Sequence, residues 1–357
     1  MSRPALAVLT LAAAVAPLAA PLATPLAAQS PERHVLRGPI VTVWNLAGRA
    51  EVVAGSGSDV VVELTRGGDD GRRLTVEATS DRLVVKYPAR EIVYRGRDDA
   101  HNYNTTLLVS EDGTFAGGWD DDRDGRRVRI SGNGGGLEAY ADLRIAVPTG
   151  QRVAVNLGVG SIEVANVNGV LELRTYASAI RARGARGRLS ARTGSGRILL
   201  EDVQVDRLNA ATGSGSIDLI GVRSDELRVS TGSGSIEGRD VRGARLDAST
   251  GSGGVRLESL TSDEVRASTG SGSVRLDFST VPRDLTARTG SGSVTLGLPR
   301  DPNVDVDVRT GSGGISSDFP VTMDQVRRNE LRGRIGTGAD GRIRVSTGSG
   351  GVRLERR

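Results

Sequence analysis

The tetrapeptide Thr-Gly-Ser-Gly begins at Thr193, Thr212, Thr231, Thr250, Thr269, Thr289, Thr310 and Thr347. The first five copies are 19 residues apart, and the later gaps are 20, 21 and 37. A period near 19 is too short for a helix pair or a propeller blade. It suits one coil of a β-solenoid, in which each repeat makes one turn and stacks on the last.

Apolar residues keep fixed offsets from each Thr. Four residues before it stand Leu189, Leu208, Leu227, Leu246, Val265, Leu285, Val306 and Ile343. Ala or Val occupies the position two before, and Ile or Val the position five after. Most copies add Leu seven after, as at Leu200, Leu219, Leu257, Leu276, Leu296 and Leu354. Spacing by two is strand alternation, with one face inward and Arg, Asp, Ser and Glu outward. Each coil therefore reads as strand, Gly-Ser-Gly corner, strand, looser turn. The corner glycines are expected to supply positive φ. The motif Thr hydroxyls are expected to bond one another or the corner backbone. The insertions of the longer copies, with Pro282, Pro299 and Pro302, fall in the loose turn.

Degenerate copies at Leu157 and Thr175 continue the pattern upstream at a spacing of 18. Ten coils from about Val153 to Leu354 would span roughly 45–50 Å at about 4.8 Å per strand. Residues 35–147 are β-rich but irregular, and Ala54-Gly-Ser-Gly-Ser58 echoes the corner. A second irregular insertion covers 316–342, with Leu331–Ile335 and Arg342–Val345 expected as a hairpin around Ala339-Asp-Gly341. The expected organisation is a signal peptide over 1–28, a linker over 29–34, the irregular part over 35–147 and the regular solenoid over 148–357. The irregular part can already hold the first coils.

The first 28 residues carry Arg3, an apolar run and Leu26-Ala27-Ala28 before Gln29, the form of a cleaved signal peptide. Pro17, Pro21 and Pro25 interrupt the apolar run and disfavour a spanning helix. The chain contains no Cys, so neither a disulfide nor a lipidated Cys is available. The mature protein is expected outside the cytoplasm, in the periplasm, at the cell surface or secreted, and not integral to a membrane. Net charge is +4, with 46 arginines and a single lysine, Lys86. The basic residues read as mixed with acids along the repeats, which argues against nucleic acid.

The TGSGS-type repeats follow an expected signal peptide and an extended opening strand with a turn at Trp44-Asn-Leu-Ala-Gly48. The chain closes on Gly336-Thr-Gly-Ala-Asp-Gly-Arg-Ile-Arg-Val345 and Gly348-Ser-Gly-Gly-Val352. In these features it resembles the bacterial "putative adhesin" family, a domain of unknown function, over about Val35 to Leu354. The resemblance implies an all-β fold, a right-handed parallel β-helix with roughly 19-residue coils. It implies no catalytic residues.

The residues offer little chemistry of their own. His34 and His101 are the only histidines, and both lie outside the regular coils. Asp218, Glu237, Glu258 and Asp277 take similar outward offsets but have Arg neighbours, as a salt-bridged surface would. Asp120, Asp122, Asp124 and Gly125 match the opening of a calcium loop, although Ser131 stands where the bidentate Glu belongs. Tyr94, Tyr103, Phe115 and Trp119 are candidates for binding a sugar or protein, or for filling an irregular β-cap. A specific site, if present, is expected within 87–127. The expected protein is an exported non-enzymatic β-helix protein, an adhesin or envelope-interaction scaffold, that needs no cofactor and meets an envelope protein or a glycan. The alternatives are a glycan-processing lyase or hydrolase and a periplasmic accessory or stress-related binding factor.

Overall fold

Each motif Thr ends a strand, because the inward alternation that precedes it stops at the glycine corner. Gln204–Thr212, Arg223–Thr231 and Arg242–Thr250 show this, and short second strands follow at Ile217–Ile220 and Ile236–Arg239. The computed structural model describes residues 31–96, 104–115, 125–327, 329–338 and 340–357. Those residues are all-β apart from one 3-10 turn at Gly71–Arg73. The fold is β-solenoid-like. Strands pair in parallel with Leu208 on Leu227, Thr212 on Thr231 and Ile217 on Ile236. The inward residues four and two before each Thr are all buried, as are those five after it except Ile315, which is half-buried.

The corner works by close stacking and not by left-handed backbone. No motif glycine has positive φ. A Cβ built on Gly213 would lie 2.3 Å from Gly194 O, and one on Gly215 would lie 1.9 Å from Gly196 O. Successive corners thus approach too closely for any side chain. Positive φ occurs instead in the loose turn, nine residues after the Thr or its equivalent in the six coils from Leu157 to Thr250. Asn166, Gly184, Asp202, Gly221, Asp240 and Ser259 hold φ of 55, 65, 52, 64, 54 and 54°. Asn and Asp tolerate this region better than other side chains, and Gly enters it freely.

The Thr hydroxyls bond the corner backbone and not one another. Thr212 Oγ1 donates to Gly196 O of the preceding coil at 2.9 Å and accepts from its own Gly215 N at 3.1 Å. The same pair of bonds recurs at Thr231, Thr250, Thr269, Thr289 and Thr347. Each buried hydroxyl therefore joins two coils while satisfying one orphan N–H.

The first coil starts earlier than Ala54-Gly-Ser-Gly-Ser58. Val41–Ala54 stacks in parallel on Arg152–Ala165, with Val43 on Val155, Asn45 on Leu157 and Gly48 on Gly160. Trp44 to Gly48 is therefore part of a continuous strand. Asn45 takes the Thr position and donates to Ala47 O and Ala141 O at 3.0 and 2.6 Å, and Tyr87 OH donates to its Oδ1 at 2.7 Å. At Gly55 to Ser58 the chain leaves the coil. The excursion that follows caps this end with Val60–Gly67 and Tyr140–Val147 and adds a separate four-stranded sheet.

The other end departs from chain order. Gly341–Thr347 lies between Asp284–Thr289 and Val304–Thr310, parallel to both, so the Thr347 coil sits between those of Thr289 and Thr310. The expected hairpin of 331–335 with 342–345 does not form. Glu330–Ile335 instead pairs antiparallel with Val304–Arg309 and with Val321–Arg327. Charge accounts for this order. In chain order Asp284 would face Asp305 and Arg288 would face Arg309. The inserted strand puts Arg342 between Asp284 and Asp305, and Ser346 between Arg288 and Arg309. Arg344 reaches Asp284 at 3.0 Å, Arg275 reaches Glu355 at 3.1 Å, and Arg357 pairs with buried Asp277. Gly297 leaves the room that Arg357 occupies, since a Cβ there would meet Asp277 Oδ1 and Arg357 Nε at 2.5 and 2.7 Å.

Candidate functional surface

The outward rows of the coils are built by repetition, so their chemistry is set by the charges that register brings together. Along most of the stack these charges are paired. Arg207 and Arg228 share Glu226 at 2.8 and 2.9 Å, Arg245 meets Glu264 at 3.2 Å, and Arg239 and Arg256 share Glu258 at 3.6 and 2.8 Å. The Arg256 hydrogen bond holds the Glu258 carboxyl below its ordinary range, and the Asp218 hydrogen bond raises the Arg197 guanidinium. The acids do not form one ladder. Asp218 lies beside Glu237, but Glu258 lies beside Arg239 in the next row, and Asp277 is buried against Arg275 and Arg357.

A depression of about 420 Å³ opens where Gly238 replaces the Leu that most coils carry seven residues after Thr. Leu219, Ile220, Glu237 and Arg239 help to line it, and Ile220 is 46% exposed.

One stretch gathers arginines without acids. Between Glu172 and Glu201 the chain carries seven arginines and no acid: Arg174, Arg181, Arg183, Arg186, Arg188, Arg192 and Arg197. Arg174, Arg181 and Arg197 reach Glu172, Glu163 and Asp218. Arg183, Arg186, Arg188 and Arg192 are exposed and join no ion pair among the described residues. Register sets Arg192 beside Arg174, and Arg188 beside Arg207, with Ser190 and Asn209 adjacent between them. The even mixture of charges expected along the repeats fails here, and the acid-free run is the signal that marks it in the sequence.

Of the residues singled out in the irregular part, Tyr94 and Phe115 fall among the described ones. Tyr94 and Phe115 are 7% and 5% exposed, and Tyr94 stacks edge-on against Tyr140 with ring centroids 5.5 Å apart. Both belong to the cap core. Tyr103, Trp119, Asp120, Asp122 and Asp124 lie outside the described residues, as do His101 and the segment 1–28 expected as a signal peptide. Among the described residues no group of three or more His, Asp or Glu side chains is placed to hold a metal ion. No described helix is long and apolar enough to cross a membrane.

The chain belongs to the Toastrack family, DUF4097, whose profile matches residues 142–355. That span begins within the strand Tyr140–Val147 and runs through the inserted C-terminal coil. No curated protein matches the chain. Among solved structures, a protein described as a "putative cell adhesion protein" from Clostridium sporogenes ATCC 15579 is 9% identical over 92% of this chain and 100% of that one, with a TM-score of 0.18. An overlay that poor carries nothing about shared fold or function.

Proposed function

We propose that this Toastrack protein is an exported, non-enzymatic scaffold acting in adhesion or in contacts within the cell envelope. The observation that carries the reading is the commitment of the repeated polar groups. Each regular Thr hydroxyl from Thr212 to Thr289 both donates to one corner and accepts from another. Outward carboxylates such as Glu226 and Glu258 are each shared by two arginines. What the coils offer a partner is a long, regular and charged surface, suited to multivalent contact. Its occupant is an envelope protein or a glycan.

The finer fold reading belongs to the same proposal. The stack is a right-handed parallel β-helix of roughly 19-residue coils built on TGSGS-type repeats. Leu208 on Leu227 and Thr231 on Thr250 support the period, and the strong preference for right-handed crossovers between parallel strands supports the hand. The leader over 1–28 is cleaved near Ala28, which leaves the mature chain outside the cytoplasm and not integral to a membrane.

The test uses the producing cell. N-terminal sequencing should begin near Gln29, and protease added to intact cells should separate surface from periplasmic protein. A strain lacking the protein should lose attachment or envelope contacts that the restored chain recovers. Recovery of an uncleaved chain in the cytosol would sink the reading. Turnover of a polysaccharide by the purified chain would favour the glycan-processing alternative.

A further inference from the structure

We propose that the face formed by Asn168–Arg183, Arg186–Thr193 and Gln204–Thr212 binds an acidic polysaccharide. The inference rests on the scaffold reading above and names the ligand class and the place.

Three observations carry it. The first is the charge excess. Up to the corner Thr, the outward positions of these strands present Arg174, Arg186, Arg188, Arg192 and Arg207 against two carboxylates, Glu172 and Asp206. Glu172 is already shared by Arg152 and Arg174, and Arg207 is held by Glu226. Arg186, Arg188 and Arg192 keep their charge unanswered among the described residues. On the neighbouring coils Arg228, Arg242, Arg245 and Arg256 each have a carboxylate at 3.2 Å or less, and the exposed arginines without an ion pair among the described residues, Arg223 and Arg266, stand singly on strands that also carry acids.

The second is the geometry. Arg188 and Arg192 lie on one strand face, about 13 Å apart at about 3.3 Å per residue. Their neighbours Arg207 and Arg174 lie one strand away, about 4.8 Å. A small anion would engage only one corner of such a field. A chain with charges at intervals can engage all of it, because each further contact becomes intramolecular. The guanidinium fork suits carboxylate and sulfate oxygens bidentately.

The third is what lies between the arginines. Ser190 and Asn209 are half-buried neighbours in the middle of the field, where they offer hydrogen bonds to hydroxyl-rich ligands. Tyr176 is half-buried at the corner beyond Arg174. It is the one aromatic of the regular coils that is not fully buried, since Phe278 and Phe319 are 3% and 5% exposed. A half-buried aromatic beside a charged field suits a sugar.

The experiment uses the purified chain with polygalacturonate, neutral dextran and single-stranded DNA in parallel, across a salt series. Polygalacturonate should bind at low salt and release as salt rises, and dextran should not bind. The variant R186Q/R188Q/R192Q should lose about ten-fold or more in affinity, as three exposed charge contacts would. It should also show a shallower salt dependence. R239Q/R245Q, which removes two paired arginines elsewhere, should bind within about two-fold of the parent. Circular dichroism and a melting curve verify that both variants fold. No binding to polygalacturonate, or equal binding by the triple variant, overturns the proposal. Tighter binding of DNA through the same arginines reassigns the face to nucleic acid and overturns it too. None of these outcomes bears on leader cleavage or surface exposure, so the scaffold reading stands or falls separately.

Discussion

Replacing Gly215 with Ala should be among the most damaging single-methyl additions in this chain. The added Cβ would lie 1.9 Å from Gly196 O, whereas real contacts of this kind need at least about 3 Å. The two corners must separate by about 1 Å, against a strand spacing of about 4.8 Å. Overpacking of this sort costs about 1–3 kcal/mol. The separation also strains the bonds from Thr212 Oγ1 to Gly196 O and from Gly213 N to Gly194 O, both 2.9 Å. At about 1 kcal/mol for each bond lost, the total is roughly 3–5 kcal/mol. Gly221→Asn is the contrast. Its φ is +64°, a conformation that Asn166 and Asp202 already adopt, so the cost should be about 1 kcal/mol or less. Gly314→Ala is the blank, since nothing lies within 4 Å of its Cβ position and its φ is not positive. Urea denaturation followed by circular dichroism would rank the three, with amide exchange at neighbouring coils to detect local opening. The decisive variant is Gly215→Asn. If the corner needed positive φ, Asn would be tolerated better than Ala. Equal tolerance of Gly215→Asn and Gly221→Asn would refute the stacking account.

Thr231→Val strands both Gly215 O and Gly234 N in a buried corner and should cost about 2–4 kcal/mol, while Thr231→Ser should retain most of the stability in the same denaturation assay. Leu246→Asp places a carboxylate in the core and should cost several kcal/mol. Arg228→Gln removes only an exposed pair and should cost about 1 kcal/mol or less, so equal losses would contradict the face assignment. Ser259→Gly relieves a φ of +54° and should stabilise by up to about 1 kcal/mol, seen as a higher melting midpoint. Arg342→Asp with Arg344→Asp should loosen the inserted coil, and limited proteolysis should then cut within 336–342 before the rest of the stack.

The inward ladder was legible in the sequence because every coil repeats the same buried offsets, and a one-residue slip would turn Leu and Val outward. The role of the corner glycines was not. Spacing shows where glycine falls but does not separate a φ requirement from a shortage of room. The repeats do hold the clue. At the loose turn of the coils from Leu157 to Thr250, Asn, Asp and Ser share the position with Gly, as a φ requirement allows, while from Thr193 onward the corner admits only Gly in both motif positions. The first coil was hidden because Asn45 replaces Thr and a long excursion separates Ala54 from Arg152. Tyr94 and Phe115 were ambiguous for the reason that aromatics always are, since a core and a binding face use the same side chains.

The order of the last coils shows what the solvated rows contribute to this fold. The core positions of the Thr289, Thr310 and Thr347 coils are nearly interchangeable: Leu285, Val306 and Ile343 fill one row, and Ala287, Val308 and Val345 the next. Burial alone therefore stabilises either stacking order about equally and cannot select one. The outward residues differ. Asp284 and Asp305 repel if adjacent, and so do Arg288 and Arg309, whereas Arg342 and Ser346 placed between them remove both conflicts. Each such pair is worth only a fraction of a kcal/mol at the surface. Their sum has to decide only between two arrangements with closely matched cores, so small terms suffice. The charged faces thus have two roles in one chain. Where acids and arginines alternate they fix which coil neighbours which, and where the acids stop, at 173–200, the arginines are left for something outside the chain.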